Sequence, residues 1–302
     1  MTWTNNILWR TWYQGCGGYS FKREELDKAE REGCFAAEPK FDGIWCAAFG
    51  GPDDVRFFSR TADEKEYPNL AITKELNGVA LFGELAFGSQ ESRRRRKQLG
   101  HDFMDVYELA AVNYDFKNLK RNGQDRYDAL LNWWSGQSEW VQRHFRLAAR
   151  YRSNFVSLYD SQPEGLVLKN LSNDGRYVGG GERVLWWCKA KKEKDVDMVI
   201  MDWNPSTAEL KCADGRPRVK NLVCGMYVDG VLKPLVKVGS MKDALSVSIA
   251  ANFEAYRGRV IALKHSGQFK SGSLRHPKVD PTLDRPVRDD KQPEECVFVP
   301  EK

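Results

Sequence analysis

The chain has 302 residues, 41% hydrophobic and 29% charged, with 47 lysines and arginines against 42 acids for a net charge of +5. At roughly 100–200 residues per domain the length calls for two domains, and the composition excludes a largely disordered chain. No apolar run nears the ~20 residues of a membrane-spanning helix, and Met1-Thr2-Trp3-Thr4-Asn5-Asn6 lacks the basic and apolar regions of a secretory signal, so a cytoplasmic protein with no membrane partner is expected.

In chain order, a first helix is predicted over 22–31, stopping near Gly33. A strand follows at 44–49. The turn Gly50-Gly51-Pro52-Asp53-Asp54 returns the chain into Val55-Arg56-Phe57-Phe58, the pattern of a hairpin. Further strands are predicted at 79–87 and 105–112. Tyr127, Leu130, Leu131 and Trp134 recur at the spacing of one helix face and read as core. The runs 165–168 and 184–188 read as buried strands. Composition then shifts at Lys189-Ala190-Lys191-Lys192-Glu193-Lys194, a candidate hinge. Beyond it short β-type runs recur at 196–201, 219–228, 232–238 and 259–264. One helix interrupts them, capped by Ser240 with Asp243 three residues on, and carrying Leu245, Ile249, Phe253 and Tyr256 before Gly258. Short strands around a single helix point to a small barrel such as an OB-fold. The last dozen residues read as a loose tail.

Seven cysteines (Cys16, Cys34, Cys46, Cys188, Cys212, Cys224, Cys296) include no CxxC pair, and no HExxH occurs, so reduced, mostly buried thiols are expected rather than zinc ligands. Arg93-Arg94-Arg95-Arg96-Lys97 reads equally well as a solvated loop or a contact to polyanion phosphates. The ten tryptophans are expected mostly in the core, with stacking as a second use. Gly179-Gly180-Gly181 lacks the GxxxxGK[ST] frame and reads as a flexible turn.

The informative segment is Glu38-Pro39-Lys40-Phe41-Asp42-Gly43. A KxDG alone is usually a surface turn. Its sharper reading is a nucleophilic lysine, which attacks phosphorus as the neutral amine, with Gly43 letting the backbone approach a ligand. Ser59-Arg60-Thr61, Gly83-Glu84-Leu85, Glu164-Gly165-Leu166-Val167-Leu168-Lys169 and Trp187-Cys188-Lys189-Ala190-Lys191 follow in order. The series resembles the motifs of the covalent nucleotidyltransferases, namely ATP-dependent DNA ligases, RNA ligases and mRNA capping enzymes, over 38–291. Gly272-Ser273-Leu274-Arg275-His276-Pro277 and Arg288-Asp289-Asp290-Lys291 resemble two elements near the end of DNA ligase OB domains, and narrow the likeness to a minimal two-domain ATP-dependent DNA ligase. With only 39 residues before Lys40, neither an extra nicotinamide-recognition domain nor a separate N-terminal DNA-binding domain is expected.

This resemblance implies an α+β nucleotidyltransferase (adenylation) domain over 1–193, then a small all-β OB-fold domain over 194–302. It implies ATP as substrate, Mg²⁺ or Mn²⁺ as cofactor, and nicked duplex DNA as partner of a monomer. Lys40 would take AMP from ATP. Glu38, Arg60, Glu84, Tyr107, Lys169, Lys189 and Lys191 would bind the nucleotide, Tyr107 by stacking on adenine, with Tyr114 as the fallback. Glu84 and Glu164 would hold metal. Arg275, Arg288 and Lys291 would form the closing motif that orients pyrophosphate. Arg60 and Arg93, Arg94, Arg95, Arg96 and Lys97 would contact DNA. His276 is expected in a structural hydrogen bond. One departure stands out: where much of the family has an arginine five residues after the lysine, this chain has Trp45. The rival readings are an RNA ligase or capping-type enzyme with the same lysine chemistry, and a non-catalytic nucleic-acid-binding protein on this fold.

Overall fold

Residues 17–60, 63–71, 74–87, 90–172, 177, 183–206, 215 and 217–299 are described by the computed structural model. Cys16, Thr61, Cys212 and the Gly179-Gly180-Gly181 turn lie outside the described residues. The fold is mixed α/β and mostly strands. It divides into two units, Met1–Lys191 and Lys192–Lys302.

Two sheets build the first unit. One has the order β1 (Gly17–Phe21), β10 (Arg183–Lys191), β9 (Gly165–Asn170), β2 (Phe35–Pro39). Side chains alternate across a strand. Phe35, Ala37, Leu166, Leu168, Cys188 and Ala190 therefore share one face, and they pack on Leu26 and Ala29 of α1 (Leu26–Glu32) and on Phe155 and Tyr159 of α5 (Phe155–Ser161). The opposite face is left to Glu38, Val167, Lys169, Trp187 and Lys189.

The other sheet has the order β5 (Glu64–Lys65), β4 (Val55–Ser59), β3 (Ile44–Gly50), β6 (Ala80–Leu85), β7 (Met104–Ala111), β8 (Phe145–Leu147). On one side Trp45, Phe49, Phe58 and Phe82 pack with Tyr177, Val184 and Trp187. On the other, Phe57, Leu81 and Val106 pack with Leu130 of α3 (Gly123–Ser135) and Val141 of α4 (Glu139–His144). Each fully buried Phe or Leu contributes about 1.5–3 kcal/mol, so these layers hold the site walls in place.

The first helix opens with a 3₁₀ turn, Arg23–Glu25, and α1 ends where Gly33 turns left-handed at φ +69°. The expected stripe on α3 is narrower than its spacing suggested: Leu130 is fully buried, but Leu131 is 41% exposed. The arginine run is neither loop nor uniform patch. It lies on α2 (Gln90–Leu99), as its helix-favouring Arg, Lys and Gln residues allow.

The second unit is an antiparallel sheet in the order β13 (Val231–Val238), β12 (Val219–Val228), β11 (Lys194–Pro205), β14 (Val260–His265), β15 (Lys278–Val279), with β16 (Val287–Arg288) also paired to β14. Its helix α6 runs only over Asp243–Ala251. Ser240 is not its cap; the Ser240 carbonyl accepts a 2.8 Å bond from Val279 N–H, while Lys242 occupies the cap position. Asn252 leaves helical geometry at φ −149°, so Phe253 falls in a separate 3₁₀ turn. The tail is not loose up to Phe298. Tyr227 N–H donates to the Cys296 carbonyl at 2.7 Å, Phe298 N–H donates to the Tyr227 carbonyl at 2.9 Å, and Cys296 is buried. A Cβ on Gly272 would come within 2.9 Å of the Phe298 ring, so the SLRHP-like loop and the tail meet side by side.

Candidate active site

Lys40 follows the last residue of β2, and its N–H donates to the Gly165 carbonyl at 2.9 Å. The register Glu38–Val167–Lys189 across β2, β9 and β10 sets these side chains on one face. Gly165, at φ +94°, is where β9 begins; a Cβ there would lie 2.0 Å from the Ala190 carbonyl. Gly43 has a different reason from the one expected. Its close approach is to the protein's own backbone, since a Cβ would meet the Leu85 carbonyl at 2.2 Å.

Above this face lies a cavity of about 140 Å³ lined by Glu38, Lys40, Trp45, Arg60, Glu84, Tyr107, Lys169, Trp187 and Lys189, with Pro39, Phe41 and Val167. Cations, two acids and aromatic rings thus share one cleft. Tyr107 and Trp187 meet edge to face with centroids 6.4 Å apart. Tyr114 is not at the cavity; its hydroxyl donates to Asn77 Oδ1 at 2.5 Å. Trp45 is 7% exposed, packs on Phe82 at 5.6 Å and forms a wall of the cleft.

Glu38 is almost wholly buried, 2.7 Å from Lys169 Nζ and 2.8 Å from Arg150 Nε. Burial alone would push its carboxyl up, but Lys169 and Arg150 outweigh that and hold it below the usual range. The Lys169 ammonium lies 4.4 Å from the Tyr107 ring centroid and 4.6 Å from that of Trp187. Lys169 is thus the charge partner of Glu38 and at the same time part of the cavity lining. Arg150 was not expected, and neither was Arg126, which pairs with Glu108 at 2.8 Å in full burial. Neither arginine belongs to a motif; each was legible only as a lone cation that a buried acid would need.

Lys40 Nζ lies 3.4 Å from Glu164 Oε2. Glu84 stands opposite Trp45 on neighbouring strands. Burial raises its carboxyl to about 7, helped by Asp42 and Asp105 and opposed by Lys40 and Arg60. Among the described residues no three or more of His, Cys, Asp and Glu group as a metal cage. Mg²⁺ needs none, because it keeps several waters and takes one or two carboxylates beside substrate phosphates. The hard oxygen donors Glu84 and Glu164 fit that chemistry. The described cysteines are free thiols, and burial raises Cys46 and Cys224 to about 12, so both are inert.

Lys191 and the cations of α2 are not among the residues that line this cleft. Lys191 is exposed at the end of β10, where its carbonyl accepts from the Tyr159 hydroxyl at 2.9 Å. On α2, Arg95 makes a bidentate pair with Asp105 at 2.6 and 2.8 Å, and Arg96 pairs with Asp102 at 2.9 Å, while Arg93 and Lys97 are exposed. In the second unit Lys291 pairs with Asp197, Arg288 Nη1 lies 3.7 Å from the same carboxylate, and Arg288 Nε and Nη2 donate to Asp290 at 2.8 and 2.6 Å. Arg275 is anchored by backbone: its N–H donates to the Gly267 carbonyl and its carbonyl accepts from Ser266, at 2.8 and 2.9 Å. His276 adjoins it in the left-handed region at φ +50°.

Neither a family model nor a curated protein sequence matches the chain. Solved structures do. Pmar-Lig_PreS3 superposes with a TM-score of 0.64 at 16% identity over 89% of this chain and 67% of that one. A structure from work on DNA binding with a minimal scaffold by Lig E DNA ligases gives 0.62 at 15% identity, covering 90% and 98%. Mycobacterial DNA ligase D complexed with ATP and MES gives 0.50 at 19% identity, covering 96% and 99%. The chain has the fold of these DNA ligases.

Proposed function

We propose that this chain is an ATP-dependent DNA ligase, with an adenylation domain over 1–193 and an OB-fold domain over 194–302, acting as a monomer on nicked duplex DNA. The observation that supports it most is the cleft itself: Lys40, Glu38, Arg60, Glu84, Lys189 and the rings of Tyr107 and Trp187 line one cavity, in the motif order that the resemblance assigns.

In this reading Lys40 Nζ attacks the α-phosphorus of ATP. A P–N bond forms, the bond to the β-phosphate oxygen breaks, and pyrophosphate leaves. An oxygen of the 5′-phosphate at a nick then displaces Lys40, leaving AMP joined to the DNA end. The 3′-hydroxyl attacks that 5′-phosphate, gives up its proton, and releases AMP as the strand closes. Charge builds on the non-bridging oxygens at each step, and Lys189 and Arg60 are the cleft cations that neutralise it. Tyr107 and Trp187 supply the surface for the base. Glu84 accepts from the ribose hydroxyls. Glu84 and Glu164 would hold Mg²⁺, which when bound spreads charge away from the phosphates.

Incubation with labelled ATP and Mg²⁺, then denaturing electrophoresis, should show covalently bound AMP, and a nicked DNA duplex should be sealed. Preference for GTP, or sealing of RNA nicks alone, would favour the capping or RNA-ligase reading. No covalent nucleotide at all would favour a non-catalytic binding protein.

A further inference from the structure

Lys40 borders a second cavity, and one cation in its wall, Arg146, belongs to no motif. The cavity encloses about 460 Å³ and is lined by Lys40, Asp42, Arg94, Arg95, Arg146 and Glu164, among others. Its character differs from that of the first. Phe41 is its one aromatic lining residue, and three guanidinium groups stand against two carboxylates.

The arginines are not equivalent. Arg95 is committed: both oxygens of the buried Asp105 accept from it, and its guanidinium lies 5.1 Å from the Phe41 ring centroid and 4.7 Å from that of Phe103. Arg146 stands directly across from Asp105 in the β7–β8 register, yet Arg95 already occupies that carboxylate. The Arg146 guanidinium lies over the same Phe103 ring, at 5.1 Å. Two cations therefore share one ring and one carboxylate. A guanidinium is a planar fork of donors, the geometry that grips two oxygens of a phosphate.

We infer that this second cavity is a phosphate subsite for the backbone of the nucleic-acid acceptor, with Arg146 as its anchoring cation. The inference rests on the ligase reading for the identity of the acceptor. A cavity with three guanidiniums and little aromatic surface suits a phosphate without its base. Its shared wall, Lys40, puts that phosphate next to the site of chemistry.

The test measures two properties of full-length Arg146→Ala and Arg146→Gln. Binding of a nicked duplex, followed by fluorescence anisotropy across 50–200 mM salt, should weaken several-fold, and the slope of log K against log salt should flatten by about 0.9 for the lost phosphate contact. Self-adenylation with ATP should stay within about twofold of the unaltered protein, as for a surface change outside the nucleotide site, which also reports that each variant is folded. Arg146→Lys should keep the slope but not the full affinity. Unchanged affinity and slope in both neutral variants would overturn the inference. So would adenylation falling in step with binding, which would assign the cavity to the phosphates of ATP instead. If the unaltered protein binds nicked DNA but takes no AMP, the ligase reading fails, and the salt slopes still decide the role of Arg146.

Discussion

Lys40 and Glu164 are 124 positions apart in sequence and 3.4 Å apart in space, because β2 and β9 pair in a register that ends beside both. Lys40→Ala should abolish covalent AMP transfer, since it removes the amine that the proposed reaction uses as its nucleophile. It should still seal a nick supplied already adenylated. A Lys40→Ala protein that self-adenylates normally would sink the assignment. Glu84 carries a separate signature in the metal-free, nucleotide-free protein. Its carboxyl is raised to about 7, against about 4.3 for an unfolded glutamate. Between these values the folded chain keeps a proton that the unfolded chain has lost. Stability should therefore fall as pH rises from about 4.3 to 7 and level off above, a contribution of order 1–3 kcal/mol. Urea unfolding at pH 5 and 8 should show a smaller difference for Glu84→Gln. An identical difference would mean the carboxyl is ordinary.

At the scale of elements, α2 separates the arginine run into two jobs. Arg95 reaches inward to Asp105, whose side chain is 4% exposed, and Ser92 on the same helix donates to the Asp42 carbonyl two residues after Lys40. Arg95→Ala removes both guanidinium bonds of a buried carboxylate and should destabilise the fold by about 3 kcal/mol. Arg93→Ala with Lys97→Ala should stay within about 0.5 kcal/mol per site. If those two outward cations touch DNA, the pair of changes should flatten the salt slope by about 0.9 per phosphate; chemical denaturation and anisotropy separate the effects. This division was not legible in five adjacent cations, because which ones turn inward depends on where β7 places Asp105. The strands were more legible. The run 184–188 was expected as a strand, but β10 continues to Lys191 and takes up the first half of the expected hinge at 189–194, because its alternation of Lys189, Ala190 and Lys191 was masked by the charge of the segment. β2 was missed because Phe35-Ala36-Ala37-Glu38-Pro39 has little β-branched character and ends in proline. Arg150 was missed because its partner Glu38 lies 112 positions away. Short periodic signals carry secondary structure; buried charge pairs formed by long-range strand pairing leave no local mark.

At the scale of the molecule, two of the cations expected to orient pyrophosphate, Arg288 and Lys291, are already paired with carboxylates. Arg288 and Lys291 share Asp197 on β11 within the second unit. If they orient pyrophosphate, they must exchange that carboxylate for a phosphate, and their loss should then matter only while pyrophosphate is leaving. Arg288→Ala with Lys291→Ala should slow adenylation of Lys40 far more than sealing of a pre-adenylated nick, measured as two single-turnover half-reactions. Equal slowing of both would mean these residues act through folding or DNA affinity. The junction of the two units carries a consequence of its own. Only Lys192 and Glu193 separate the end of β10 from the start of β11, and each offers one soft φ and one soft ψ. Four soft torsions leave this junction far fewer conformations than a long flexible linker would have, and an insert of glycine and serine would turn it into a random coil whose reach grows with the square root of its length.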